Sequence, residues 1–188
     1  MIHVCSLAAL PDTVKSTGAS HILTIMAKVN QVQRPESVLE TNHLKVSVDD
    51  ITELAEGFVA PSEIHVEQVL NFVRGWDRGA PMVIHCWAGI SRSTAGAFVT
   101  ACALNPNRDE AAIARAIRDA SATAMPNKRI VTIADQLLGR AQRRPWILRA
   151  PRDFDDAWIR QGTAIHFAIR RQRQTCERHE YRGHHIFR

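Results

Sequence analysis

Nine consecutive residues, His85-Cys86-Trp87-Ala88-Gly89-Ile90-Ser91-Arg92-Ser93, leave this chain few ways to fold. They sit between Met82-Val83-Ile84, a short apolar run after Pro81, and the helix-forming run Ser93-Thr94-Ala95-Gly96-Ala97-Phe98-Val99. The first run suits a buried strand that delivers His85 and Cys86 to its carboxyl end, and the second reads as an apolar helix with a hydroxyl residue at its start. Strand, tight loop and helix therefore follow in order. A loop that closes onto a helix N-terminus turns backbone N–H groups toward a common point, and the helix dipole adds to them, so the geometry favours a bound anion.

The side chains in the loop carry that expectation into chemistry. Gly89 permits a sharp turn and a close approach of backbone to ligand. Arg92 offers a planar fork for two phosphate oxygens, which a lysine would not match. A thiol beside a helix N-terminus and a guanidinium ionises more readily than a free one, so Cys86 is expected to act as a thiolate. A thiolate facing a bound phosphate is arranged for covalent phosphoryl transfer.

In these residues the chain resembles the cysteine-dependent protein tyrosine phosphatase superfamily, whose signature is His-Cys-x-x-Gly-x-x-Arg-Ser, and most of all its small dual-specificity-like and bacterial members. The resemblance implies a phosphocysteine intermediate on Cys86, with the backbone of Trp87, Ala88, Gly89, Ile90, Ser91 and Arg92 and the Arg92 side chain binding the phosphoryl oxygens. It further implies that Ser93 hydrogen-bonds the sulfur and eases its departure, that His85 holds the thiolate's surroundings, and that neither a cofactor nor a metal is needed.

Phosphoryl transfer also needs a proton for the departing oxygen, and a carboxylic acid is the usual donor. Asp49 and Asp50 follow the alternating run His43-Leu44-Lys45-Val46-Ser47-Val48, which reads as a strand, and precede a segment with Glu and Gly that reads as a loop. By the resemblance this is the acid-bearing loop, with Asp50 nearer to the expected position and Asp49 the alternative. The competing reading is structural, because an Asp followed three residues later by Glu53 is also a helix-start pattern.

Length and composition suit one compact α/β domain: 188 residues, 45% of them hydrophobic. Residues 2–5 and 21–26 read as strands separated by a turn-rich segment containing Pro11, Asp12 and Gly18. Val66, Val69, Leu70 and Val73 fall at helical spacing, which predicts an amphipathic helix over residues 62–76. Asn107 with Glu110 predicts a capped helix carrying Ile113 and Ile117, and Asn127 predicts another that ends before Gly139. The order implies a three-layer sandwich around a mostly parallel central sheet of four to five strands. The four cysteines have no paired spacing, no stretch reaches the ~20 apolar residues of a membrane span, and a reducing cytoplasm is the expected setting.

A compositional break follows Arg140. Residues 141–188 hold 11 basic against 5 acidic side chains, a net +6, whereas the body carries −1. The expected division is thus a catalytic domain over residues 1–140 and a basic extension over 141–188, partly helical or disordered, with a solvated surface favoured over nucleic-acid binding. Cys176, His179, His184 and His185 cluster in the extension without the spacing of a zinc motif. No positive side chain stands between Cys86 and Arg92, which by the resemblance disfavours inositol lipids as substrates. The short link over residues 28–42 implies a shallow pocket. The expected partner is therefore a phosphorylated protein, through phosphotyrosine and also phosphoserine or phosphothreonine, with small phosphate esters as the enzymatic alternative and a catalytically weak phosphate-binding module as the non-enzymatic one.

Overall fold

The computed structural model describes residues 1–140 and the backbone of residues 165–167. Five strands form one sheet: β1 (Ile2–Ser6), β2 (His21–Ile25), β3 (His43–Val46), β4 (Met82–Cys86) and β5 (Ile165–Phe167), in the order β3-β2-β4-β1-β5. The first four are parallel to their neighbours and β5 runs antiparallel to β1. The fifth strand thus comes from beyond Arg140. The rest of the extension, including the Cys176 and histidine cluster, lies outside the described residues.

A parallel sheet must be covered on both faces, so its strands are buried along their whole length, as β1 and β4 are. On one face, Cys5, Ile22 and Val83 pack with Leu10 and Val14 of helix α1 (Leu10–Thr17). On the other, Val4, Leu23, Ile25 and Ile84 pack with α2 (Glu63–Gly75), α3 (Arg92–Leu104), α4 (Glu110–Ala120) and α5 (Lys128–Leu137). Helix α3 is buried from Arg92 to Cys102 and lies close against the sheet at Gly96, where a Cβ would stand 2.6 Å from Ile25 Cδ1. The expected three-layer α/β architecture is thus present.

Two local expectations are corrected. The segment around Pro11 and Gly18 is a helix and not a string of turns: Pro11 stands in its first turn and Gly18, at φ +64°, closes its end. Those residues mark helix boundaries as readily as turns, and only two turns of apolar spacing lie between them. The cap of α4 is Asp109, whose carboxylate accepts the N–H groups of Ala111 and Ala112, while Asn107 belongs to the preceding turn. Asn127 caps α5 as expected, accepting from Arg129 and Ile130. Among the described residues no helix is long and apolar enough to cross a membrane.

Candidate active site

The nucleophile candidate ends β4, the arginine begins α3, and five residues join them at the carboxyl end of the parallel strands. The loop's outer surface is fastened through its carbonyls. Trp87 C=O accepts from Leu7 N–H at 3.1 Å, Ile90 C=O from Met125 N–H at 3.1 Å, and Ser91 C=O from Asn127 N–H at 3.3 Å. In a trans peptide the N–H opposes the C=O, so the N–H groups of Ala88, Ser91 and Arg92 are directed to the inner side. Gly89 N–H points at the sulfur itself, 3.3 Å from Cys86 Sγ. Gly89 has φ +79°, and a Cβ there would lie 2.8 Å from the backbone of Cys5 and Ser6, so the loop is moulded onto the end of β1.

Cys86 is buried at 2% exposure, and Ser93 Oγ lies 3.2 Å from its Sγ. Arg92 donates Nη1–H to Val48 C=O at 2.9 Å, which fixes the guanidinium beside the residues that follow β3. Its Nε is buried and makes no hydrogen bond within the described residues; the nearest acid oxygen, Asp50 Oδ2, is 3.7 Å away. A buried donor without an acceptor is uncommon in a folded protein, and at this position it suits an oxyanion.

Asp50 belongs to the irregular loop between β3 and α2. Its Oδ1 accepts from Ser91 Oγ–H at 2.7 Å and from Asn127 Nδ2–H at 2.8 Å. Asp49 works within the loop: its Oδ2 accepts Val59 N–H at 2.8 Å, and its own N–H donates to Val59 C=O at 2.8 Å. Neither aspartate starts a helix, since α2 begins only at Glu63, so the helix-start reading of Asp50 and Glu53 does not hold. Both aspartates, with Arg92, Trp87, Met26 and Lys28, line a cleft of about 260 Å³. Trp87 is 65% exposed and forms part of this wall, not core.

His85 is fully buried behind the loop. Its Nδ1 lies 3.4 Å from Cys86 C=O and its Nε2 lies 2.7 Å from Thr24 Oγ1. Burial pushes its ring down to about 4, so it is neutral at physiological pH. Burial likewise pushes the thiols of Cys5 and Cys102 up to about 12, which leaves them inert there.

The structure therefore brings together every residue singled out in the signature stretch, with Asp49 and Asp50 at the rim. It adds Asn127, legible in sequence only as a helix cap, and Thr24 and His43, for which the sequence holds no local signal.

Comparison with solved structures finds this fold in dual-specificity and tyrosine phosphatases. Human DUSP28 superposes with a TM-score of 0.56 at 18% identity, over 75% of this chain and 90% of that one. The PTP-2 phosphatase of Cydia pomonella gives 0.56 at 16% identity, over 72% and 84%. A human tyrosine phosphatase-like serine/threonine/tyrosine-interacting protein gives 0.58 at 16% identity, over 73% and 91%. No protein-family model and no curated protein matches the sequence.

Proposed function

We propose that this protein is a phosphoric monoester hydrolase that removes phosphate from phosphotyrosine, and from phosphoserine or phosphothreonine, in proteins through a phosphocysteine intermediate. The observation that carries the reading is the surroundings of Cys86 Sγ: Gly89 N–H at 3.3 Å, Ser93 Oγ at 3.2 Å, and a helix that starts at Arg92. Such a group of donors stabilises a thiolate as nucleophile and as leaving group.

In the first step Cys86 Sγ attacks phosphorus and the P–O bond to the substrate breaks, while Asp50 transfers its proton to the departing oxygen. The inner N–H groups and Arg92 hold the phosphoryl oxygens. In the second step water attacks phosphorus, Asp50 takes the water's proton, the S–P bond breaks and Ser93 donates to the released sulfur. The product is inorganic phosphate. With Oδ1 of Asp50 occupied by two donors, Oδ2 is the oxygen that carries the exchanged proton.

The fold alone also suits a binding module, as the description of one human neighbour as an interacting protein illustrates. Here the arginine and both aspartates line one cleft, and the buried cysteine ends the strand whose loop carries that arginine, which favours turnover. Small phosphate esters are the alternative substrate class.

Hydrolysis of an aryl phosphate near pH 6, in excess chelator, is expected for the wild type and is expected to vanish in Cys86→Ser. No hydrolysis by folded wild type, together with measurable phosphopeptide affinity, would instead establish the binding module. Comparison of phosphopeptides with sugar and nucleotide monophosphates then decides the substrate class.

A further inference from the structure

We infer that Thr24 and His43 are positioning residues that act through His85 to aim a directed hydrogen-bond chain at the peptide joining Cys86 to Trp87. Three contacts define the chain: His43 Nε2 to Thr24 Oγ1 at 2.8 Å, Thr24 Oγ1 to His85 Nε2 at 2.7 Å, and His85 Nδ1 to Cys86 C=O at 3.4 Å. Its direction follows from the chemistry of its last member. A carbonyl only accepts, so His85 Nδ1 carries the proton. Burial keeps His85 neutral, which leaves a lone pair on Nε2 that Thr24 Oγ–H must fill. Thr24 has one proton to give, so its contact with the second ring requires His43 Nε2–H to donate. His43, also held neutral by burial, then bears its lone pair on Nδ1, the atom that is buried without a hydrogen-bond partner among the described residues.

The chain runs from β3, at one edge of the sheet, through β2 to the end of β4. Thr24 and His85 are fully buried, so no solvent competes for these bonds. The group it reaches is a shared one. Its C=O accepts the hydrogen bond from His85 Nδ1–H, and its N–H, opposed across the trans peptide, is that of Trp87, the first residue of the loop. Donation to the carbonyl withdraws negative charge from beside the thiol and polarises the N–H, because hydrogen bonds in series strengthen one another. Thr24 and His43 touch neither substrate nor sulfur. Their effect passes through His85.

This inference rests on Cys86 being the nucleophile, but its test needs no turnover. The pH dependence of iodoacetamide alkylation at Cys86, read by peptide mass in the full chain, reports ionisation of that thiol alone. Thr24→Val is expected to move the half-maximal pH upward by about half a unit or more, whereas Thr24→Ser, which keeps the hydroxyl, stays near wild type. His43→Phe is expected to shift it in the same direction by less, and His43→Gln, which restores a donor, to reverse part of that shift. Lys45 and Arg34 beside His43, and Arg92 and Asp50 at the cleft, remain in place in every variant. An unchanged midpoint in folded Thr24→Val would overturn the inference, as would equal shifts in the Val and Ser variants. Should Thr24→Val fail to fold, His43→Phe, at the sheet's edge, decides alone. Loss of the phosphatase reading would show separately, as hydrolysis that survives Cys86→Ser.

Discussion

Asp50 is held at three points: Ser91 and Asn127 fix Oδ1, and Arg92 stands 3.7 Å from Oδ2. Asp49, its neighbour, closes the loop on Val59. The two substitutions therefore separate. Asp50→Asn is expected to lower kcat by about 10²–10⁴-fold on alkyl phosphates and far less on aryl phosphates with good leaving groups, while Asp49→Asn has the smaller effect and a leaving-group dependence like wild type. A steepened leaving-group dependence in Asp49→Asn alone would move the acid to Asp49. Legibility at this scale follows distance along the chain. Cys86, Gly89, Arg92 and Ser93 are contiguous and could be read together, whereas the partners of Asp50 and His85 lie 77 and 61 positions away and become neighbours only in the sheet and its helices.

Helix α5 tethers the loop that carries Asp49 and Asp50 through its first turn. Asn127 offers Oδ1 to its own helix and Nδ2–H to Asp50, while Arg129 donates Nε–H to Pro61 C=O at 2.6 Å and Nη1–H to Thr52 C=O at 3.2 Å. Cap and tether can be separated. Asn127→Ala loses both and is expected to cost about 1 kcal/mol of stability along with activity. Asn127→Asp keeps a capping oxygen but sets a carboxylate against Asp50, so the unfolding midpoint is largely preserved while kcat on alkyl phosphates falls. Intact activity in both variants, with stability lost only in Asn127→Ala, would reduce Asn127 to a cap. The sequence announced this helix clearly and α1 poorly. Asn127 and five apolar residues over two and a half turns are a strong pattern, whereas the eight residues of α1 carry a proline and an aspartate and are followed by a glycine, all residues that turns share.

Across the whole molecule, the burial of His85 couples stability to pH. Its ring is ordinarily protonated near 6.5 but resists protonation in the fold until about 4. Between those values the unfolded chain binds the proton and the folded chain does not, so this contribution is fully present above 6.5 and is lost as pH falls toward 4. Urea titrations at pH 4.5, 5.5 and 7 are expected to show unfolding free energy rising with pH by up to about 1.4 kcal/mol per unit from this group. His43 adds to it in the same direction. A flat profile would contradict neutral rings. The parallel sheet was legible because apolar runs alternate with helical spacing, but the antiparallel β5 was not, since Ile165-His166-Phe167 sits in a tract whose composition suggests no sheet.

The contact of Gly89 with the backbone of Cys5 and Ser6 also dictates when the site can exist. The loop takes its shape from β1, about eighty residues earlier in the chain, and docking of such distant segments is slow because the intervening chain must first be ordered. The cradle therefore exists only where β1 lies paired against β4. A chain with β4 and α3 formed but without β1 would hold every reactive side chain of the signature and lack the surface that shapes their loop.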